Sequence, residues 1–321
     1  MGKRPTHQKP VLIVQHAPHE HAAALFRALE SQGLPTQVVK VFEGSPLPST
    51  SEIHGMISLG GPMGANDEKF HPWIRDEIDL MKRVFEKDLP FAGICLGGQM
   101  FARAMGGKVQ QNRHPEIGWF PVSLTDAGKL DPLMSAAGPT PKFYQWHYDT
   151  FSPPKEAVLL GEGEICVNQA YRLGERAYGF QFHPEADHQL VDEWLSIEGT
   201  DDEILLARTA HHQECVHSPQ EHRNHAKDGE FSSLSFVSAI SQLFQIDPFN
   251  GADASLRTPC ESSCADKRLC VLEFYGSHGE ISSIRGTIDR VIEIPHGQFI
   301  LFKDENSLIW PVRLDHIHSL K

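Results

Sequence analysis

The chain has 321 residues, of which 40% are hydrophobic and 22% charged. That composition supports about two packed domains and excludes wholesale disorder. Lys and Arg number 29 against 42 Asp and Glu, for a formal charge of −13, so nucleic acid could be bound only through a local basic face. Six cysteines are too sparse for a disulfide scaffold. No apolar run approaches the ~18–20 residues of a membrane span, and the short run Val11–Val14 reads as a first strand rather than a signal segment. A reduced, cytoplasmic protein with no membrane partner is expected.

The first half alternates short β-branched runs with amphipathic windows. Strands are expected at 11–14, 37–42, 54–59 and 91–96. The stretch 20–33, with Ala24, Leu25, Ala28 and Leu29 at helical spacing, reads as a helix stopped by Gly33. The window 72–88, with Pro72 in its first turn and Trp73, Ile74, Ile78, Met81 and Phe85 on one side, reads as another, and 98–107 as a third. Strands alternating with helices imply a mostly parallel sheet covered on both faces. Five closely spaced strand candidates between 118 and 182 follow without long helices between them, which predicts an antiparallel extension. A helix is expected again over 187–199 and another over 231–244. The polar stretch between 199 and 267 places the domain boundary near Gln245–Arg268. The predicted organisation is therefore an α/β domain over 1–245, a linker over 246–267 and a small all-β barrel over 268–321.

Three segments carry chemistry. In Gly93-Ile94-Cys95-Leu96-Gly97-Gly98-Gln99 an apolar strand runs into two glycines and then a helix. Such a strained turn lifts a thiol above the carboxyl edge of the sheet, and the helix N-terminus behind it favours negative charge. A buried structural cysteine beside a tight turn is the plainer reading of that segment alone. Phe180-Gln181-Phe182-His183-Pro184-Glu185 places a His and a Glu two residues apart. In an extended segment the two point the same way, so Glu185 could orient an imidazole that takes the thiol proton; alone, the segment is more often a solvated strand end. Gly60-Gly61-Pro62-Met63-Gly64 follows another strand and could aim backbone N–H groups at a carbonyl oxygen, or be an ordinary loop. All three fall at strand ends on one side of an α/β sheet, where such sheets bind ligands.

Taken together and in this order, Gly-Ile-Cys-Leu-Gly-Gly-Gln, the Gly-Gly-Pro loop and His-Pro-Glu resemble the class I (triad) glutamine amidotransferases. The likeness extends to 116–122, 145–151 and 176–185, and it is nearest to the stand-alone proteins similar to the amidotransferase domain of GMP synthase. The resemblance covers about residues 10–245 and implies a flavodoxin-like fold. It implies Cys95 as nucleophile, His183 as general base and Glu185 as its orienter, with backbone N–H groups of Gly61 and Leu96 forming the oxyanion hole. Gln99 and the backbone of Trp146, His147 and Tyr148 would hold the substrate, glutamine or a γ-glutamyl amide. Cys95 would form a γ-glutamyl thioester, ammonia would leave, and water would release glutamate; no cofactor or metal is implied. Two positions depart from the family pattern. Gly98 replaces a larger residue and would widen the pocket. Tyr148 stands where a glycine is expected and would narrow it.

The remainder carries no synthetase signature: neither Ser-Gly-Gly-x-Asp-Ser nor Gly-x-x-x-x-Gly-Lys occurs. Delivery of the ammonia to a separate synthetase subunit, and hydrolysis of a γ-glutamyl peptide, both stay open. So does a non-catalytic regulatory protein acting through its C-terminal barrel, although an intact triad speaks against it. His211, His212, Cys215, His217, His222 and His225 crowd a polar stretch without tetrahedral metal spacing and read as a solvated insertion. Cys260, Cys264 and Cys270 read as incidental thiols. The stretch 268–321 resembles the Sm-like barrel of the Rho-binding antiterminator family. Its Arg268, Arg285, Arg290, Lys303 and Arg313 are interleaved with acids, so a solvated surface fits them as well as an RNA face; docking of a protein partner is the expectation, with RNA the alternative.

Overall fold

The computed structural model describes residues 9–197, 200, 204 and 235–245, together with the backbone of the C-terminal strands. The chain divides into two compact units, residues 1–245 and 246–321.

The first unit opens with β1 (Val11–Gln15), α1 (Ala23–Ser31), β2 (Thr36–Lys40), β3 (Gly55–Ser58), α2 (Trp73–Glu86), β4 (Phe91–Ile94) and α3 (Leu96–Ala104). After these come β5 (Lys108–Pro121), β6 (Ser123–Leu124), α4 (Asp126–Leu130), β7 (Lys142–Ser152), β8 (Val158–Glu162), β9 (Asn168–Leu173), β10 (Ala177–Phe180) and α5 (His188–Leu195). The main sheet has eight strands in the order β2-β1-β3-β4-β10-β9-β8-β6. From β2 to β10 all neighbours are parallel, the doubly wound order in which the carboxyl ends share one edge. β9, β8 and β6 continue the sheet antiparallel, as the extension predicts.

Two details differ from the sequence reading. The segment at 177–182 does not belong to the antiparallel set alone. β10 pairs parallel with β4 on one side and antiparallel with β9 on the other, so it joins the two halves of the sheet. The strand candidates at 118–125 and 142–148 do not enter that sheet together either, because β5 and β7 form a separate antiparallel ribbon. Alternating patterns fix which residues face the same way, but not which strand lies alongside.

The inner strands β1, β3, β4 and β10 are buried on both faces, and the pleat divides their side chains between two cores, whereas the edge strand β2 is buried only at Val39. Val11 and Ile13 of β1 pack with Leu25 and Leu29 of α1 and with Phe236, Val237 and Ile240 of a helix over residues 235–243. Leu12 and Val14 pack with Ile74, Ile78 and Met81 of α2 and with Met100 and Phe101 of α3. A third cluster joins Ile117, Trp119 and Tyr144 of the ribbon to Leu190, Val191 and Trp194 of α5. Asp187 caps α5 by accepting from the Leu190 N–H at 2.8 Å, and Arg27 pairs with the same carboxylate. That contact ties α5, and with it the cleft wall, to α1.

The second unit holds β11 (Leu269–Tyr275), β12 (Ile281–Ile294), β13 (Gly297–Asp304), β14 (Ile309–Arg313) and β15 (Ile317–Leu320). They form an antiparallel sheet in the order β14-β13-β12-β11-β15. The histidine-rich stretch 211–225, the linker and Cys260 and Cys264 lie outside the described residues, as do the side chains of Cys270 and of the C-terminal cations. No helix among the described residues is long and apolar enough to cross a membrane.

Candidate active site

β4 ends at Ile94 and α3 begins at Leu96, which leaves Cys95 alone to make the turn. Its φ of 48° and ψ of −106° lie in a region that a non-glycine residue enters only under strain. The glycines behind it let α3 sit against the sheet. A Cβ on Gly97 would fall 2.2 Å from the Ser58 carbonyl oxygen, and one on Gly98 would fall 2.6 Å from that of Phe180. Gly98 is therefore set by packing onto β10, and its smallness does not open the pocket as the sequence suggested. Cys95 is only 5% exposed. Its Sγ lies 3.8 Å from the Trp146 carbonyl oxygen, and Gln181 Nε2 donates to it at 3.8 Å.

His183 lies three residues beyond β10. Its N–H donates to the Tyr144 carbonyl at 2.8 Å, an isolated bridge that pins it to β7. Its Nδ1 is 2.8 Å from Glu185 Oε1, so that nitrogen carries the proton and Nε2 faces the thiol. The pairing expected from strand alternation is present, but its cause differs. Residues 184 and 185 form a turn, closed by the Ala186 N–H to the His183 carbonyl at 3.3 Å, and it is the turn that brings the carboxylate back to the ring. Burial works against a charged His183. The Glu185 carboxylate and the hydrogen-bonded Cys95 sulfur outweigh it and hold the imidazole well above its ordinary range. The Trp194 ring covers the imidazole edge-on, with centroids 4.9 Å apart.

The Gly60–Gly64 loop is held from beneath. His16 Nδ1 meets the Gly60 carbonyl at 2.8 Å, and its Nε2 meets Glu77 Oε2 at 3.0 Å. The Ser58 hydroxyl donates to Glu77 Oε1 at 2.7 Å, and Trp73 stacks on the imidazole at 5.0 Å. Burial opposes charge on His16, yet acceptors face both ring nitrogens, and Glu77 and Gly60 hold it above its usual value. The buried His16–Glu77 pair thus anchors the loop that carries Gly61.

At the far end of the cleft, Gln99 Nε2 donates to the Asp149 carbonyl at 3.2 Å and to Gln181 Oε1 at 3.3 Å. His147 turns its side chain away from the cleft. Nε2 meets Glu116 Oε2 at 2.8 Å and Nδ1 meets the Asp149 carbonyl at 3.0 Å. Glu116 also accepts from Gln169 at 2.9 Å, and Gln169 Oε1 from Gln145 at 2.7 Å. This buried chain fixes the register of β7 and leaves its backbone to face the site. Tyr148 adopts no left-handed conformation, since Ala23, Asp88 and Cys95 are the described non-glycine residues with positive φ. Its backbone is thus one that a non-glycine residue takes without strain, while its side chain lines the cleft. Glu116, His147 and Cys166 place one ligand atom each within 4.8 Å of one another. Those atoms are engaged by each other, by Gln169 and by Thr150, whose hydroxyl is 3.1 Å from the Cys166 sulfur. Burial pushes the Cys166 thiol up to about 12, as expected for a packed thiol rather than a reactive one.

Gly61, Cys95, Leu96, Gln99, Trp146, His147, Tyr148 and His183 all line one cleft of about 460 Å³, with Glu185 behind His183. Residues that the sequence brought forward separately thus share a site. Sequence reasoning missed Glu20, Gln181 and the His16–Glu77 pair. The position of His16 just past β1, at the carboxyl edge of the sheet, was a usable signal; nothing local marked Glu77, which lies on the packed face of α2.

The model of the family described as glutamine amidotransferase class-I matches residues 20–196. A glutamine amidotransferase-like protein of Salmonella typhimurium, YfeJ, is 31% identical over 186 residues, spanning 57% of this chain and 78% of that protein. A GMP synthase (glutamine-hydrolyzing) of Aeropyrum pernix is 28% identical over 206 residues, 60% of this chain but only 37% of that protein's length. Among solved structures, a glutamine amido transferase of Methylobacillus flagellatus has a TM-score of 0.66 at 31% identity, covering 74% of this chain and 96% of that one. A glutamine amidotransferase of Thermotoga maritima has a TM-score of 0.65 at 26% identity, covering 75% of this chain and all of that one.

Proposed function

This chain belongs to the class-I glutamine amidotransferase family, and from that premise we propose that it cleaves the side-chain amide of glutamine or a γ-glutamyl amide by a Cys95–His183–Glu185 triad. The observation that carries this reading is the strained Cys95 elbow facing an imidazole whose other nitrogen is fixed by a buried carboxylate at 2.8 Å. The Cys95 sulfur attacks the amide carbon, and the carbonyl oxygen gains charge toward the backbone N–H groups of Gly61 and Leu96. His183, having taken the thiol proton as general base, gives it to the departing nitrogen. Glu185 fixes the neutral ring in the Nδ1–H tautomer, which leaves Nε2 to accept and return the proton. The same imidazole then takes a proton from water, which hydrolyses the γ-glutamyl thioester. Gln99, with the backbone of Trp146, His147 and Tyr148, grips the amino-acid end of the substrate.

A protein of Halobacterium salinarum, named as one of the subunits of a glutamine-hydrolyzing GMP synthase, is 27% identical over 152 residues. That name supports a second chain, an amide-accepting synthetase, as the destination of the ammonia. For the C-terminal sheet we propose closure into a small Sm-like barrel that docks a protein partner. The direct test of the chemistry is ammonia release from glutamine by the full chain. Cys95→Ala should abolish it, and activity persisting in that variant would refute the nucleophile.

A further inference from the structure

Beside His183 the wall of the cleft carries a carboxylate that the triad does not use. Glu20 lies in the loop between β1 and α1 and lines the cleft, with its side chain 12% exposed. Its Oε2 atom is buried and has no hydrogen-bond partner, while Oε1 lies 4.0 Å from His19 Nε2. A Cβ added to Gly60 would sit 2.7 Å from Glu20 Oε2 and 2.8 Å from His183 Cε1. The carboxylate and the proton-donating imidazole therefore flank the same glycine. Burial raises the Glu20 carboxyl to about 7; the imidazoles of His183 and His16 pull it down and the Glu185 carboxylate pushes it up. A buried carboxylate oxygen left without a donor is costly, and a cation brought in by a ligand would satisfy it.

The direction of that ligand follows from the reaction. During attack the amide oxygen points to Gly61 and Leu96, and the glutamyl backbone runs toward Gln99 and Trp146–Tyr148. The departing nitrogen must face His183, which is the side on which Glu20 stands. We propose that Glu20 is a specificity-determining residue that receives a cationic nitrogen on the leaving-group side, so that the preferred substrates are γ-glutamyl amides whose amine half carries a second, protonated amine. This assignment rests on the triad reading above. The step balances as for glutamine: the carbon–nitrogen bond breaks, His183 supplies one proton to the leaving nitrogen, and the distal ammonium passes through unchanged.

The test compares two γ-glutamyl amides of nearly equal size, the 2-aminoethyl amide and the uncharged propylamide. Wild type should prefer the cationic amide by about ten- to a hundredfold in kcat/KM, the range of a charge-assisted contact. Glu20→Gln should bring the ratio near unity. Equal turnover in wild type, or a ratio unmoved by the substitution, overturns the proposal. A second readout needs no turnover: Cys95 labelling by 2-aminoethyl methanethiosulfonate against the neutral propyl reagent, resolved by mass spectrometry. The cationic reagent should be favoured above pH 7, and the preference should fade as pH drops and Glu20 protonates. His16, His19, His183 and Glu185 also face this carboxylate, and all are kept in Glu20→Gln, so a flat profile in that variant isolates Glu20. Labelling without charge preference overturns the Glu20 role while leaving the triad standing. A labelling preference with neither amide hydrolysed overturns the triad reading and, with it, the substrate class.

Discussion

At the scale of single residues, the site sets buried charges against one another. His183 and His16 are each held above the ordinary histidine range by a carboxylate that outweighs burial, whereas Glu20 is raised to about 7. Removing the orienting charge alone, with Glu185→Gln, should lower ammonia release by on the order of 10²- to 10⁴-fold, the usual contribution of a positioned acid–base group, with the circular dichroism spectrum unchanged. For Glu20 the linkage runs the other way. The folded protein keeps a proton that the unfolded chain loses near pH 4.5, so this residue withdraws stability as pH rises from about 4.5 through about 7. Over that shift the withdrawn stability reaches roughly 3 kcal/mol. Glu20→Gln should therefore melt higher than wild type at pH 8 and nearly level with it at pH 5. A gap of the same size at both pH values would remove the charge from the explanation.

At the scale of elements, two contacts decide whether the elbow forms. α3 approaches β3 so closely that a methyl group at Gly97 would lie 2.2 Å from a backbone oxygen. Gly97→Ala must push the helix away, and overpacking of this kind costs about 1–3 kcal/mol; the chemical-denaturation midpoint and ammonia release should fall together. On the other face, Phe236 is fully buried and packs at tilted and edge-on angles against Phe143, Phe180 and Phe182. Phe236→Ala should cost about 3–5 kcal/mol in unfolding free energy, with the site's chemistry affected only through stability. Much of this was legible in the chain. The helix at 72–88 was expected from its spacing and is found as Trp73–Glu86. Its buried Glu77 broke the apolar pattern, and the pattern gave no reason for it, because the groups it serves, His16 and Ser58, come from other strands.

At the scale of the whole molecule, the cleft is contributed by segments following β1, β3, β4 and β10, by β7, and by α5. A site assembled from so many elements exists only while the first unit is folded. The packed Cys166 thiol, fully buried beside His147, should become reactive to a thiol reagent at the same urea concentration at which the tryptophan fluorescence changes. Earlier exposure of the thiol would mean that the cleft opens by local unfolding.

Residue order was enough to establish the doubly wound α/β class, because apolar runs and glycine turns are local signals. It was also enough to set which residues stand at strand ends, with Cys95 before two glycines and His183 two positions from Glu185. Three things came only with the folded chain: β10 lies beside β4, a turn rather than an extended strand joins His183 to Glu185, and Glu20, His16 and Glu77 converge on the same loop. Local pattern sets the direction of a side chain relative to its own backbone. Which distant backbone lies opposite it is settled only by packing the sheet.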